Sequence, residues 1–354
     1  MRVLFQLLDA GLGGGQLVAT RVGAELAARG AELGLIVPAP GPTAEAFAGL
    51  GAEVVERDLG TLRRPDAAPR TARLLRGYDL LYTHTSVPGA TLAGATARLA
   101  RRPLVVHQHS ALHFSGRPAI ERAQRFLFAQ ALSGARLVAV ADHIAEQLVD
   151  IGLDSRRVEV VPNGVPLPGV AQPVDERPPT IGILARVDPG KGIDTFVEAA
   201  RLLQGRGIRF VAGVVPGPFA EFEVRLRADA AAAGVELIDS VDGDSFLRKI
   251  DVLAFPSRHE GSPLVLLEAL ALGVPVVAAD VPGVREVVTP EDAAELVPAG
   301  NARALADALG LLVDDASRRA RLGERGRAVV TSRYRLESML DRTIAILEST
   351  ATGG

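Results

Sequence analysis

Apolar positions along this chain fall into short runs separated by longer amphipathic segments. In the first half the runs are Val3–Leu8, Leu33–Val37, Leu80–Thr83, Leu104–His107 and Leu137–Val140. None alternates strictly between polar and apolar residues, which marks strands buried on both faces of a parallel sheet. Segments of helical length and composition, such as Leu17–Arg29 and Thr91–Ala100, lie between them. The stretch Pro162–Pro179 is dense in proline and glycine and reads as a linker. Beyond it the pattern restarts, with strands expected at Thr180–Leu184, Phe210–Val215, Val235–Ile238, Val252–Phe255, Val274–Ala278 and Ala294–Val297. Helices are expected at Gly192–Gln204, Phe219–Ala233, Leu264–Leu272 and Ala302–Asp314. Strand–helix alternation in both halves predicts an α/β chain of two doubly wound, Rossmann-like domains, 1–168 and 169–334. Open α/β sheets take ligands beyond the carboxyl ends of their strands, so two such domains are expected to face each other across a cleft.

Composition narrows the function. The 354 residues are 48% hydrophobic and carry a net charge of −3, which gives no global reason to expect nucleic acid. No cysteine is present, which suits a reducing cytoplasm. The amino-terminal apolar run meets Asp9 too early for a signal peptide, and no stretch has the length of a membrane span. Of the 39 basic residues only Lys191 and Lys249 are lysines, so a lysine in a glycine-flanked turn is conspicuous.

Several loops could carry chemistry. Gly11-Leu12-Gly13-Gly14-Gly15-Gln16 follows the first strand and precedes a helix, where free N–H groups suit an anion. It fails as a dinucleotide fingerprint, because Gln16 stands where glycine is needed and no acidic residue closes the second strand. Arg186 and Lys191 flank a Pro-Gly turn at the end of a strand, an arrangement that suits a diphosphate. Glu260 lies in the loop before a helix expected to open at Pro263, with the N–H groups of Leu264 and Val265 leading it. Glu268, alone in an apolar run, reads as a buried acceptor awaiting a diol, or else as a core carboxylate paired with an arginine. His107-x-His109 suggests a metal, but no nearby carboxylate completes a coordination set, so no metal site is expected. Arginines cluster in the first half, at Arg63, Arg64, Arg70, Arg73, Arg76, Arg98, Arg101, Arg102, Arg117, Arg122 and Arg125. They read as a solvated face from biased codon usage, or as a surface for anionic lipid or an anionic acceptor.

In order along nearly the whole chain, these elements resemble the retaining nucleotide-sugar glycosyltransferases of the GT-B fold, glycosyltransferase family 4. The matching features are Gly13-Gly14 after the first strand, His109 in VVHQHS, Pro162-Asn163-Gly164-Val165, Arg186 with Lys191-Gly192, and Glu260 with Glu268 spaced E-x7-E. The alanine- and arginine-rich composition suits a bacterial source and the lack of cysteine a cytoplasmic one, with peripheral contact to the inner membrane face as the alternative reading of the arginine-rich half. The resemblance implies a nucleoside-diphosphate-sugar donor, a hydroxyl acceptor (a sugar, a lipid-linked or a small molecule), no metal and no further cofactor. Arg186 and Lys191 would stabilise the leaving diphosphate, Glu260 and His109 would contact the transferred sugar, and Glu268 would accept from the ribose hydroxyls. Gly13, Gly14, Asn163, Ser262, Leu264 and Val265 would complete the donor site, and the loop at Ser240–Val241 would read the base. The amino-terminal domain would bind the acceptor, the second domain the donor, and a final helix, Leu336–Leu347, would cross back to the first domain. Two departures stand out: Pro166 follows the PNGV motif, and Gly261-Ser262-Pro263 replaces the common Gly-Phe-Gly. Rival readings are a nucleotide-sugar 2-epimerase of the same fold, a carbohydrate hydrolase, a non-catalytic nucleotide-sugar-binding subunit and an NAD-binding protein.

Overall fold

A computed structural model describes all residues except Leu12, 58–66, 172–176, 240–241 and Gly354. The chain divides into two compact units, residues 1–163 with 337–354, and residues 164–336.

The first unit is built on a seven-stranded parallel sheet. Its strands are β1 (Arg2–Leu7), β2 (Glu32–Val37), β3 (Glu53–Glu56), β4 (Leu80–His84), β5 (Leu104–Gln108), β6 (Arg136–Ala139) and β7 (Val158–Val160). Their order is β3-β2-β1-β4-β5-β6-β7, so the winding reverses between β1 and β4. The crossovers carry α1 (Gly14–Ala28), α2 (Pro42–Gly49), α3 (Ala67–Leu75), α4 (Val87–Ala100), α5 (Pro118–Leu132) and α6 (Asp142–Asp150). Central strands are buried on both faces, as their unbroken apolar runs require. Phe5 of β1 meets the rings of Phe47 and Tyr82 edge-on, at 4.9 and 5.2 Å between centroids.

The second unit has a six-stranded parallel sheet, β8 (Thr180–Arg186), β9 (Arg209–Val215), β10 (Val235–Asp239), β11 (Val252–Phe255), β12 (Val276–Ala279) and β13 (Glu295–Val297). The order β10-β9-β8-β11-β12-β13 places its reversal between β8 and β11. Around it lie α7 (Ile193–Leu202), α8 (Ala220–Ala233), α9 (Gly243–Leu247), α10 (Leu264–Leu272), α11 (Pro282–Val288), α12 (Ala302–Asp314) and α13 (Ala316–Arg333). Asn301 caps α12 by accepting from the Ala304 N–H at 3.0 Å, and Asp315 caps α13 through Arg318 at 2.8 Å. The last helix, α14 (Leu336–Thr352), packs within the first unit: Arg29 pairs with Asp341 at 2.7 Å, and Arg342 donates to the Val160 carbonyl.

Strands β3 and β7 were not foreseen; both are short edge strands, and neither has a run of fully buried apolar residues. Among the described residues no helix is long and apolar enough to cross a membrane.

Candidate functional site

In an open α/β sheet the reversal of strand order opens a crevice beyond the carboxyl ends of the two strands. The second unit places Arg186 and the loops of Lys191 and Glu260 at its reversal, and the first unit places its glycine loop at the other.

In the second unit, β8 ends at Arg186 and β11 at Phe255, and the two strands are neighbours. Their following loops are tied together. The Arg258 N–H donates to the Gly190 carbonyl at 2.8 Å, and its guanidinium grips both oxygens of Asp194 at 3.0 and 2.9 Å. It also donates to the Pro189 carbonyl and, at 3.2 Å, to Thr195. Gly192 stands in the left-handed region, at φ 68°, and a Cβ there would lie 2.2 Å from the Pro256 carbonyl. These ties bring Lys191 to Glu260: Nζ donates to Oε1 at 2.8 Å, with the glutamate side chain only 9% exposed and the lysine 30%. Two motifs that stand 69 residues apart in sequence are thus one ion pair.

Arg186 does not join that pair. It reaches Asp188 at 3.2 Å and stays half exposed, while the other Asp188 oxygen accepts from the Gly190 N–H and shapes the turn. Ser262 and Leu264 are buried. Pro263 occupies the cap position rather than the first helical one, so α10 opens at Leu264 without a side-chain cap. The N–H groups at its start, Leu264 and Val265 among them, have no intrahelical partner.

Glu268 corrects an expectation. It is half-buried rather than enclosed, and it shares with Val265 a partly accessible stripe on a helix otherwise buried. The i, i+3 spacing puts both residues on one face.

Gly283, at the start of α11, supports Glu260 from below. A Cβ there would fall 2.4 Å from the Glu260 carbonyl and 2.2 Å from that of Gly261, so no larger residue leaves the loop in place. Sequence reading passed over both Gly283 and Arg258; the second is hidden among many arginines. The expected base-reading loop at Ser240–Val241 lies outside the described residues.

In the first unit the glycine loop follows β1, and His84 closes β4 beside it. Gly13 caps α1 without a side-chain contact, and Gly14 begins the helix exposed. His109 follows β5, and its ring lies against Gly15. His109 Nε2 and His84 Nδ1 share a hydrogen bond of 2.7 Å, and Tyr82 Oη meets His107 Nδ1 at 2.6 Å. Burial pushes His84 and His107 well below the ordinary histidine range, with the neighbouring imidazoles adding to it. Burial also brings His109, which keeps some solvent contact, down to about 4. All three are therefore neutral at pH 7. A hydrogen bond with the Gly15 backbone offsets part of the downward shift in His84. His84 on the neighbouring strand joins His107 and His109, so that one ring nitrogen of each lies within 4.8 Å of the others. Asn163, the last residue of this unit's first segment, is buried.

The arginine clusters divide. Arg98 donates to the Gln130 carbonyl and Arg102 to the Arg76 carbonyl at 2.8 Å, which is structural work. Arg125 pairs with Glu121 at 3.3 Å and covers the Phe114 ring, so it does not face outward as a free charge. Arg63 and Arg64 lie outside the described residues. Helix α5 nevertheless exposes Ile120, Phe126 and Leu127 beside Arg122, with Phe126 63% accessible.

Comparison with known proteins agrees with this architecture. Residues 12–167 match the family described as Glycosyltransferase Family 4, and residues 170–329 match Glycosyl transferases group 1. A D-inositol 3-phosphate glycosyltransferase of Kineococcus radiotolerans is 32% identical over 299 residues, covering 71% of this chain and 67% of that protein. The lipopolysaccharide core biosynthesis mannosyltransferase LpsB of Rhizobium meliloti is 33% identical over 179 residues; this chain spans about half of its length (51%). Among solved structures, Anabaena HepE in complex with UDP-glucose superposes with a TM-score of 0.84 at 20% identity, covering 99% of this chain and 100% of that one. With both halves matched in order and two Rossmann-like sheets in place, the chain belongs to glycosyltransferase family 4, transferase enzymes of the GT-B fold.

Proposed function

We propose that the protein transfers a sugar, with retention of anomeric configuration, from a nucleoside-diphosphate sugar to a hydroxyl acceptor. The observation that carries this reading is the Lys191–Glu260 pair at the β8–β11 reversal, beside the uncapped start of α10. Lys191, Arg186 and the leading N–H groups of α10 bind the diphosphate and stabilise the charge it gains on leaving. Glu268 and Val265 share the accessible face of α10, where the carboxylate accepts from the ribose diol. Glu260 orients the transferred sugar. In the first unit, Gly13, Gly14 and Asn163 serve the donor, and His109 contacts the transferred sugar.

In the transfer, the bond from the anomeric carbon to the diphosphate oxygen breaks and a bond to the acceptor oxygen forms on the same face. The departing diphosphate takes the acceptor proton. These steps require no divalent metal, because the cations and N–H groups supply the charge. The HepE structures hold UDP, UDP-glucose, or UDP with glucose, which makes UDP the first nucleotide to assay. The relatives named for inositol 3-phosphate make a phosphorylated polyol the first acceptor to assay. The exposed face of α5 suits peripheral docking on anionic lipid at the cytoplasmic membrane face.

Titration calorimetry against UDP, GDP, ADP, dTDP and NAD, with chelator present, tests the reading. One nucleoside diphosphate should bind, and Lys191→Ala and Glu268→Ala should each weaken that binding about tenfold or more in folded protein. Binding of NAD instead, or of no diphosphate, would overturn it.

A further inference from the structure

The register of β4 against β5 decides what lies beside His109. Thr83 pairs with Val106, so His84 and His107 are the next residues along neighbouring strands, and His109 follows shortly after. Three neighbours confine its ring. His107 stacks on it, at 4.3 Å between centroids and 23° between planes. Gly15 lies along one edge, where a Cβ would stand 3.2 Å from the His109 Cδ2. His84 meets it through the 2.7 Å contact of its Nδ1 with His109 Nε2. The planes of these two rings differ by only 19° with centroids 4.9 Å apart, so they meet edge to edge and the bond lies close to both planes. His84 is itself buried, at 5% exposed.

The ring hydrogens fix the direction of that bond. A neutral imidazole has one N–H and one bare nitrogen. Both rings are neutral at pH 7, so one donates and the other accepts. The hydrogen bond with the Gly15 backbone raises the His84 pKa, as a carbonyl accepting from a ring N–H does and a backbone N–H does not. His84 therefore directs its N–H to Gly15 and turns a bare Nδ1 to His109. The hydrogen in the 2.7 Å contact belongs to His109 Nε2, which leaves His109 Nδ1 bare. That nitrogen is buried and has no partner among the described residues.

We propose that His84 is a positioning residue for the transfer: it fixes the ring and the tautomer of His109, so that His109 meets the transferred sugar as a hydrogen-bond acceptor through Nδ1. The inference rests on the proposed contact of His109 with the sugar and gives that contact a direction, in which the sugar supplies the hydroxyl hydrogen. Without His84 the ring would take either tautomer, present Nδ1 as a donor part of the time, and lose its fixed place against the sugar.

The test joins nitrogen NMR of the full-length protein, labelled at its histidine nitrogens and free of ligand, to turnover. His109, assigned by the loss of its signals in His109→Gln, should show a single tautomer with the hydrogen on Nε2. His84→Phe keeps a ring but no partner for the bond, and should abolish that single state. His84→Asn, whose amide oxygen can stand in for Nδ1, should preserve it. Release of nucleoside diphosphate from UDP-glucose or GDP-mannose, whichever is turned over, should fall roughly 10- to 100-fold in kcat for His84→Phe and largely recover in His84→Asn. Affinity for the free nucleoside diphosphate should not change in either variant. A hydrogen on Nδ1 of His109 in the parent protein overturns the inference without any variant having to fold. A parent-like tautomer or kcat in folded His84→Phe also overturns it. The underlying reading fails separately, since a parent-like kcat in His109→Gln would remove the sugar contact itself. If neither sugar is turned over, the tautomer alone decides.

Discussion

The Lys191–Glu260 ion pair leads to an asymmetric prediction. Lys191 is asked to clamp a diphosphate, yet in this structure its ammonium is already held by a carboxylate at 2.8 Å. A phosphate oxygen bound to the far side of the same ammonium would stand about 5 Å from Glu260, since each charge-assisted bond is about 2.8 Å long. Two unit negative charges at that separation repel by about 3 kcal/mol at an effective dielectric of about 20. Lys191 is 30% exposed, so solvent screening reduces this to roughly 1–2 kcal/mol. Glu260→Gln removes the repulsion and keeps an acceptor for Lys191. It should therefore bind free nucleoside diphosphate about 5- to 30-fold more tightly, while sugar transfer falls because the sugar contact is lost. Lys191→Ala should weaken the same ligand by about 1.5–3 kcal/mol, and adding Glu260→Gln to it should recover about 1–2 kcal/mol, because the carboxylate repels the diphosphate with or without the lysine. Calorimetry of both single variants and the double variant, at low and moderate salt, provides the readout. If Glu260→Gln weakens diphosphate binding as much as Lys191→Ala does, the charge argument is wrong.

Three further outcomes are expected. Glu268→Gln should weaken nucleotide binding roughly 10- to 100-fold, through loss of charge-assisted bonds to the diol; a ligand lacking both ribose hydroxyls should not distinguish it from the parent. Arg258→Ala should lower second-unit stability by about 1–2 kcal/mol in urea unfolding and also weaken diphosphate, because the two site loops lose their tie; full nucleotide affinity in this variant would show that the tie does not position Lys191. On α5, Arg122→Glu with Phe126→Glu should abolish co-sedimentation with phosphatidylglycerol vesicles, at about 1 kcal/mol for the basic residue alone plus the lost apolar burial; unchanged sedimentation would remove the membrane reading.

The buried strands were legible in the sequence because a parallel sheet with helices on both faces demands continuous apolar runs, and β11, α10 and α12 stand close to where patterning puts them. Edge strands β3 and β7 escaped because an edge does not impose that demand. Helix α13 escaped because its many arginines mask the apolar stripe of Leu322, Val329 and Val330. The site was legible as separate motifs and illegible as a constellation. That Lys191 touches Glu260 depends on β8 lying beside β11, which is a fact of topology and not of spacing. The histidine cluster has the same origin. His107 and His109 announce themselves two residues apart, but His84 enters only through the pairing of β4 with β5. Gly283 had no signal at all, because what requires it is the backbone of a different loop.

The chain enters and leaves the second unit at one place. Val165 N–H donates to the Tyr334 carbonyl at 2.9 Å, the Leu336 N–H donates back to Val165 at 3.0 Å, and a side chain on Gly164 would collide with the Arg335 carbonyl. The second unit is therefore a cassette whose two ends are already stitched together, inserted in a first unit that is discontinuous in sequence. Ends that meet in this way suit excision, circular permutation and transplantation, since no new span of chain is needed to close either part. An exchange of residues 164–336 for those of a relative would cut two adjacent backbones, leave α14 with its own unit apart from Leu336, and move Arg186, Lys191, Glu260 and Glu268 as a single piece.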